Sequence, residues 1–106
     1  MRYKKLIPAK EANLLVKRPL KLQGALRFFN RMIIQASLSG CYELYMSPNY
    51  ENIIKKKRYY YKLDDRETSI VFDWVKMDYY ELQLQKNGYY VDYDWIRQIF
   101  IIKWRL

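Results

Sequence analysis

The chain contains no histidine, one cysteine and only three glycines among its 106 residues. Without histidine it lacks the commonest general base near neutral pH and the commonest metal ligand. The single Cys41 forms no internal disulfide and has no histidine to activate it. The glycines at positions 24, 40 and 88 are too far apart for a phosphate-binding loop. We therefore predict a protein that is not an enzyme and that uses no cofactor and no metal.

Long apolar runs are also missing. No segment approaches the roughly 18 consecutive apolar residues of a membrane span, and residues 1–15 contain no apolar core of a signal peptide. With a single cysteine, this favours a cytoplasmic protein without a membrane partner. The length predicts a single domain over residues 1–106, and a hydrophobic fraction of 51% is enough for a folded core.

Acidic residues are scarce in the first part of the chain. Twenty Lys and Arg oppose eleven Asp and Glu, which gives a net charge of +9. Residues 1–38 hold nine basic residues and one acid, residues 39–62 hold five and two, and residues 63–106 hold six and eight. The chain therefore has a basic front and a mildly acidic rear. Such a field attracts polyanions or acidic protein surfaces and speeds association with them.

Apolar residues at three- and four-residue spacing predict the helices. A short helix over residues 8–16 is followed by Pro19, and a longer one over residues 22–36 ends before Gly40. A third stripe over residues 70–82 ends at Asn87 and Gly88. The acids before it are expected to cap this helix rather than to bind a metal; they are Asp64, Asp65 and Glu67.

Alternation of apolar and polar residues predicts strands over 41–46, 89–93 and 96–104, with a turn near Asp94 and Trp95. Asp92 and Asp94 are expected to be solvated turn acids. The order α-α-β-(basic stretch)-α-β-β indicates an α+β fold with helices packed on one face of a small antiparallel sheet. The side chains expected to be buried are Phe29, Ile33, Leu44, Trp74, Phe100 and Ile102.

The densest local feature combines basic and aromatic residues: Lys55, Lys56, Lys57, Arg58, Tyr59, Tyr60 and Tyr61. Cations that follow phosphates and rings that stack on bases suit nucleic acid. The same mixture suits a protein interface, where Tyr and Arg are enriched. It also suits a solvated edge strand or loop, with alternate tyrosines packed inward and lysines protecting the edge. We predict a partner-binding site here and leave the three alternatives open.

Two further features are candidate contact surfaces. A secondary basic surface is formed by Lys17, Arg18, Lys21, Arg27 and Arg31, although a solvated helix face explains such a charge run equally well. Trp95, at the predicted turn, is a candidate exposed anchor, whereas Trp74 and Trp104 are expected in the core.

Five segments occur in a recognisable order: residues 9–13 (AKEAN), 33–40 (IIQASLSG), 41–46 (CYELYM), 84–93 (LQKNGYYVDY) and 100–104 (FIIKW). Together they resemble segments of small accessory proteins of bacteriophages. The resemblance implies a viral origin and a location in the host bacterial cytoplasm. Proteins of this kind include tail or decoration appendages and small modulators of host machinery.

These observations together predict a non-enzymatic, phage-encoded binding protein that attaches to and modulates a macromolecular complex, for example as an inhibitor of a host defence or replication factor. A small basic nucleic-acid-binding protein is the first alternative, and a virion structural component is the second. A protein partner is favoured over nucleic acid. Exposed strand edges also favour a homodimer.

Overall fold

The computed structural model describes residues 20–105, and the side chains of residues 24–105. The predicted helix over residues 8–16 therefore lies outside the described residues. The elements within the described part are α1 (Leu20–Leu38), β1 (Glu43–Ser47), β2 (Ile53–Lys55), β3 (Arg58–Lys62), α2 (Asp65–Val71), α3 (Met77–Lys86), β4 (Tyr90–Asp94) and β5 (Ile99–Lys103). This arrangement confirms the predicted α+β class.

Helix α1 confirms the predicted helix over residues 22–36. Its apolar face is buried, with Phe29 and Ile33 at its centre. Gly40 ends the helix with φ +82°, a left-handed conformation that glycine adopts without steric cost. The Cys41 N–H then donates to the Ala36 carbonyl at 2.9 Å, which satisfies one of the free carbonyls of the last turn.

The stripe over residues 70–82 forms two helices rather than one. Helix α2 begins with the expected capping pair, in which Glu67 N–H donates to Asp64 Oδ1 at 2.7 Å and Asp64 N–H donates to Glu67 Oε1 at 3.0 Å. The chain then turns at Asp73, whose Oδ1 accepts the Val75 N–H at 3.1 Å and whose carbonyl accepts the Met77 N–H. The side-chain bond to Val75 N–H replaces a bond of the α2 ladder, whereas the bond from Met77 N–H begins the ladder of α3.

The break carries Trp74 out of the core. The side chain lies in the turn between α2 and α3 and is 73% exposed, so the expectation that Trp74 is buried was wrong. A helical stripe predicts one continuous face only while the helix continues. Here the polar side chain of Asp73 ends that face one residue before the tryptophan.

The five strands form one sheet in the order β2-β3-β1-β5-β4. All neighbouring pairs are antiparallel except β1 and β3, which are parallel. The prediction of a purely antiparallel sheet was therefore wrong for this pair. The physical reason is that the basic stretch forms a hairpin of its own. The chain first runs along the outer strand β2 and then reverses, so that β3 lies between β2 and β1 and runs in the same direction as β1.

The hydrophobic core lies between one face of this sheet and the helices. The Phe29 ring of α1 stacks on Phe100 of β5 with centroids 5.2 Å apart, and meets Tyr80 of α3 edge-on at 5.3 Å. The other predicted core residues Ile33, Leu44 and Ile102 are also buried. Five of the six predicted core side chains are thus confirmed.

Two turns mark diagonally opposite corners of the sheet. The lysine turn, Lys56 and Lys57, joins β2 to β3 beyond the Lys55–Arg58 pair. The turn from β4 to β5 lies beyond the Asp94–Ile99 pair. Glu43 of β1 pairs with Arg58 of β3 on one side and with Lys103 of β5 on the other, so Arg58 and Lys103 lie at the same end of the sheet. The lysine turn lies at this end, and the turn from β4 to β5 lies at the other end, near the opposite edge of the sheet.

Candidate binding surface on the open face of the sheet

The sheet face away from the core, here called the open face, carries two rows of side chains that cross all five strands. Alternate residues of each strand point to this side, and the strand register aligns them. The charged row consists of Lys55, Arg58, Glu43, Lys103 and Tyr90. The aromatic row consists of Ile53, Tyr60, Tyr45, Ile101 and Asp92.

Glu43 holds the centre of the charged row. Its Oε1 accepts from Arg58 Nε at 3.2 Å and from the Tyr45 hydroxyl at 3.0 Å, and it lies 3.8 Å from Lys103 Nζ. Both cations also approach the Tyr45 ring, with Arg58 Cζ 5.5 Å and Lys103 Nζ 6.0 Å from its centroid. A single carboxylate thus positions two cations around one tyrosine. With Lys55 as a third cation, the charged row has three positive charges and one negative charge.

The tyrosines of the open face pack against one another. The Tyr45 and Tyr60 rings are 5.1 Å apart and tilted by 31°, and Tyr50 meets Tyr60 edge-on at 5.3 Å. Tyr90, at the far edge, is exposed and lies 5.6 Å from Lys103 Nζ. Burial and then the hydrogen bond to Glu43 raise the pKa of Tyr45 to about 12. This phenol is therefore neutral at physiological pH.

The sheet divides the predicted cluster of residues 55–61 between its two faces. Lys55, Arg58 and Tyr60 belong to the open face. Tyr59 and Tyr61 are half-buried on the core side. The Tyr59 hydroxyl accepts from Gln35 Nε2 at 3.0 Å, and the Tyr61 hydroxyl donates to Glu67 Oε2 at 2.8 Å.

The backbone conformation of the lysine turn is unfavourable for residues with a side chain such as lysine. Lys56 and Lys57 have φ of +53° and +66°, as in a two-residue hairpin turn that usually contains Asn-Gly. Side chains in this left-handed region cost on the order of 1 kcal/mol each. Both lysines are exposed, and they place two positive charges beyond the end of the charged row.

The described members of the secondary basic surface lie on the helical side of the molecule, apart from the open face. Arg27 and Arg31 are exposed on α1, one helical turn apart, and Arg31 Cζ lies 5.4 Å from the Phe28 ring. Lys17 and Arg18 lie outside the described residues, as does the side chain of Lys21. The structure therefore does not join these arginines to the charged row.

Sequence reasoning missed Tyr45, Tyr90 and Lys103 as members of the site. Alternation already separates the outward residues of β1 and β5 from the inward ones. It does not indicate which strands are neighbours, and only the strand order places Tyr45 between Arg58 and Lys103.

Within residues 20–105, no group of three or more Cys, Asp or Glu side chains is arranged to hold a metal ion. No helix in that range is long and apolar enough to cross a membrane. The chain matches no family model, and comparisons with curated proteins and with solved structures find no match either.

Proposed function

We propose that the protein is a non-enzymatic binding protein whose open face holds single-stranded nucleic acid. The observation that carries this proposal is a row with three cations beside a packed pair of tyrosines, on a sheet face that no helix within residues 20–105 covers. Cations neutralise phosphates, and aromatic rings stack on unpaired bases. Sheet faces with exposed aromatic side chains are an established means of binding single-stranded RNA.

The lysine turn supports this assignment. An Asn-Gly pair at positions 56 and 57 would fit the left-handed backbone better, yet the chain has two lysines there. Unfavourable backbone conformations are concentrated at functional sites. Their charges extend the charged row at the end where Arg58 and Lys103 lie, along the path that a strand of phosphates crossing the sheet would follow.

A second candidate is the protein partner favoured by the sequence. It is supported by exposed apolar side chains near the turn from β4 to β5, where Trp74, Val75 and Ile96 are 73%, 83% and 93% exposed. Exposed tryptophans are frequent energetic centres of protein interfaces. The more specific form, a phage-encoded modulator of a host complex, depends on the sequence resemblance alone.

The test measures binding of a fluorescent single-stranded oligonucleotide, about 20 nucleotides long, to the full chain by anisotropy. Lys56→Asn/Lys57→Gly removes two charges while relieving the turn, so weaker binding by this variant cannot be attributed to unfolding. We expect a several-fold loss of affinity and a salt slope shallower by about 1.4, since each of the two lost phosphate contacts contributes about 0.7.

The matched control is Arg27→Ser/Arg31→Ser, which removes the same charge from the helical side. It should bind as the unmodified chain does, apart from a small general loss of attraction. Equal losses in the two variants would show that net charge alone drives binding. Absence of salt-dependent binding by the unmodified chain would refute nucleic acid and leave the protein partner as the better candidate.

A further inference from the structure

A small aromatic cavity lies at the corner of the sheet diagonal to the lysine turn. The cavity has a volume of about 240 Å³ and is here called the tryptophan pocket; its lining residues are Trp74, Met77, Asp78, Tyr93 and Trp95. Trp74 comes from the turn between α2 and α3, Tyr93 from β4, and Trp95 from the turn that follows β4. Separate segments of the chain thus converge on one cavity.

The two tryptophans form walls that meet at an angle. Their ring centroids are 4.9 Å apart and their planes are inclined by 62°. Phe72 supports Trp95 from the core side, with centroids 6.0 Å apart, whereas Trp74 is 73% exposed. One wall is therefore fixed to the core, and the other remains accessible to a ligand from solvent.

The electrostatic character of the pocket is negative. Aromatic ring faces attract cations through their quadrupole, and the Asp78 carboxylate adds a full negative charge. Asp78 and Tyr93 both line the pocket; burial, followed by the charges of Glu81 and Asp78, raises the pKa of Tyr93. The nearby cations Lys76 and Arg97 are paired with aspartates outside the pocket.

The size and charge of the tryptophan pocket indicate which class of ligand it can bind. Pockets for drug-sized molecules have volumes of roughly 300–1,000 Å³, so this cavity suits a single head group. One carboxylate among aromatic rings does not provide the oxygen ligands that Mg²⁺ or Ca²⁺ requires. An anion would be repelled, and a neutral apolar group would gain nothing from Asp78. The remaining chemistry is a cation with apolar substituents.

We propose that the tryptophan pocket binds an organic ammonium cation, with Trp74, Tyr93 and Trp95 as its aromatic walls and Asp78 as its counter-charge. The cation can be a free quaternary ammonium compound or the methylated lysine side chain of a partner protein. This site lies on other elements than the lysine turn and the charged row, so it does not depend on the open face binding nucleic acid.

The test titrates the full chain with choline and follows the indole N–H signals of the tryptophans by NMR. The control ligand is 3,3-dimethyl-1-butanol, which has the same shape with a neutral carbon in place of nitrogen. We expect saturable shifts of the Trp74 and Trp95 signals with choline only. Equal shifts with both ligands, or shifts that do not saturate, would overturn the proposal.

Variants then assign the contributions of individual residues. Trp74→Ala should weaken choline binding at least tenfold, and Asp78→Asn several-fold. Leu82→Ala, an exposed apolar residue on α3 outside the pocket, should have no effect. Trp74→Phe should restore part of the affinity, because a smaller ring face is retained. Full affinity in both Trp74→Ala and Asp78→Asn would refute the assignment even if choline binds.

A second pair of ligands distinguishes the two sources. Nα-acetyl-trimethyllysine amide binding more tightly than choline would indicate a modified side chain of a partner, whereas tighter choline binding would indicate a free compound. Unmethylated Nα-acetyl-lysine amide should bind more weakly than the trimethylated form, because a strongly hydrated ammonium gains less from aromatic walls. Equal or tighter binding of the unmethylated form would contradict a site for alkylated cations.

Discussion

The rings of Tyr45 and Tyr60 lie side by side on the open face, with centroids 5.1 Å apart across the parallel strand pair. The next residue along β3, Tyr61, points to the opposite side and bonds Glu67 beneath the sheet. Neighbouring tyrosines therefore have different environments. This difference allows binding and folding to be tested separately within one strand.

We expect Tyr60→Ala to weaken oligonucleotide binding roughly tenfold, because a base stacked on an aromatic ring contributes about 1–3 kcal/mol. Tyr60→Ala should lower the free energy of unfolding by less than Tyr59→Ala does. Tyr59→Ala, on the half-buried core side, should instead lower the free energy of unfolding by about 1–3 kcal/mol and leave the affinity of the folded protein unchanged. Anisotropy and urea denaturation measure the two quantities. Reversed roles for the two residues would contradict the assignment of faces.

The lysine turn should be more stable with the residues its backbone favours. Lys56→Asn/Lys57→Gly is expected to raise the free energy of unfolding by about 1 kcal/mol, because left-handed φ values no longer oppose the side chains. Thermal and urea unfolding provide the measurement. Lys56→Ser/Lys57→Ser removes the same charges without the backbone benefit and should show little gain. If both variants were stabilised equally, charge repulsion in the turn would be the cause.

Removal of the carboxylate at the centre of the charged row should strengthen the attraction of the open face for phosphates. Glu43→Gln frees Arg58 and Lys103 from their shared partner and raises the net charge of the row by one. We expect roughly threefold tighter oligonucleotide binding at low salt and a steeper salt dependence. The pKa of Tyr45 should fall, since Glu43 contributes to its elevation. Weaker binding would mean that the ordered positions of the two cations matter more than their charge.

Alkaline pH should destabilise the protein through its tyrosines. The pKa values of Tyr45 and Tyr61 are about 12 in the folded chain, against an ordinary value of 10.0. The folded state therefore holds these protons more tightly than the unfolded state, and the resulting stability is complete below pH 10 and is lost as pH rises from 10 to 12. Urea unfolding across this window should show a shallower decline for Tyr61→Phe. Identical curves for the two proteins would contradict the role of Tyr61.

The aromatic centre of the core should be sensitive to truncation. Phe100 is fully buried and contacts Phe29, Phe72 and Tyr93. Phe100→Ala is expected to lower the free energy of unfolding by about 3–5 kcal/mol. Phe100→Leu should lower it by less, because leucine still fills part of the space. Denaturation of both variants gives the comparison. A loss below about 1 kcal/mol for alanine would show that the site collapses around the cavity.

The sequence predicted what depends on local spacing. The buried faces of α1 and β1, and that of β5 from Phe100 onward, followed from periodicity, and the caps at Asp64 and Gly40 followed from residue type. The prediction that the last strand begins at Ile96 was wrong, because residues 95–98 form the turn and Ile96 is 93% exposed. The parallel pairing of β1 with β3 could not be predicted, because alternation assigns a residue to a face but not a strand to a neighbour. Trp74 was misplaced because hydrophobic spacing continues across a turn that Asp73 creates through its own hydrogen bonds. The predicted homodimer and phage origin remain predictions.

The diagonal arrangement of the two turns has a consequence for assembly. By strand length and strand spacing, the lysine turn and the tryptophan pocket are roughly 20 Å apart. Ligands of opposite charge can therefore occupy the two corners at the same time without competing. If one partner joined a cationic tail to a nucleic acid strand, the first contact would raise the effective concentration of the second. The avidity of such a partner would then exceed the affinity of either contact alone.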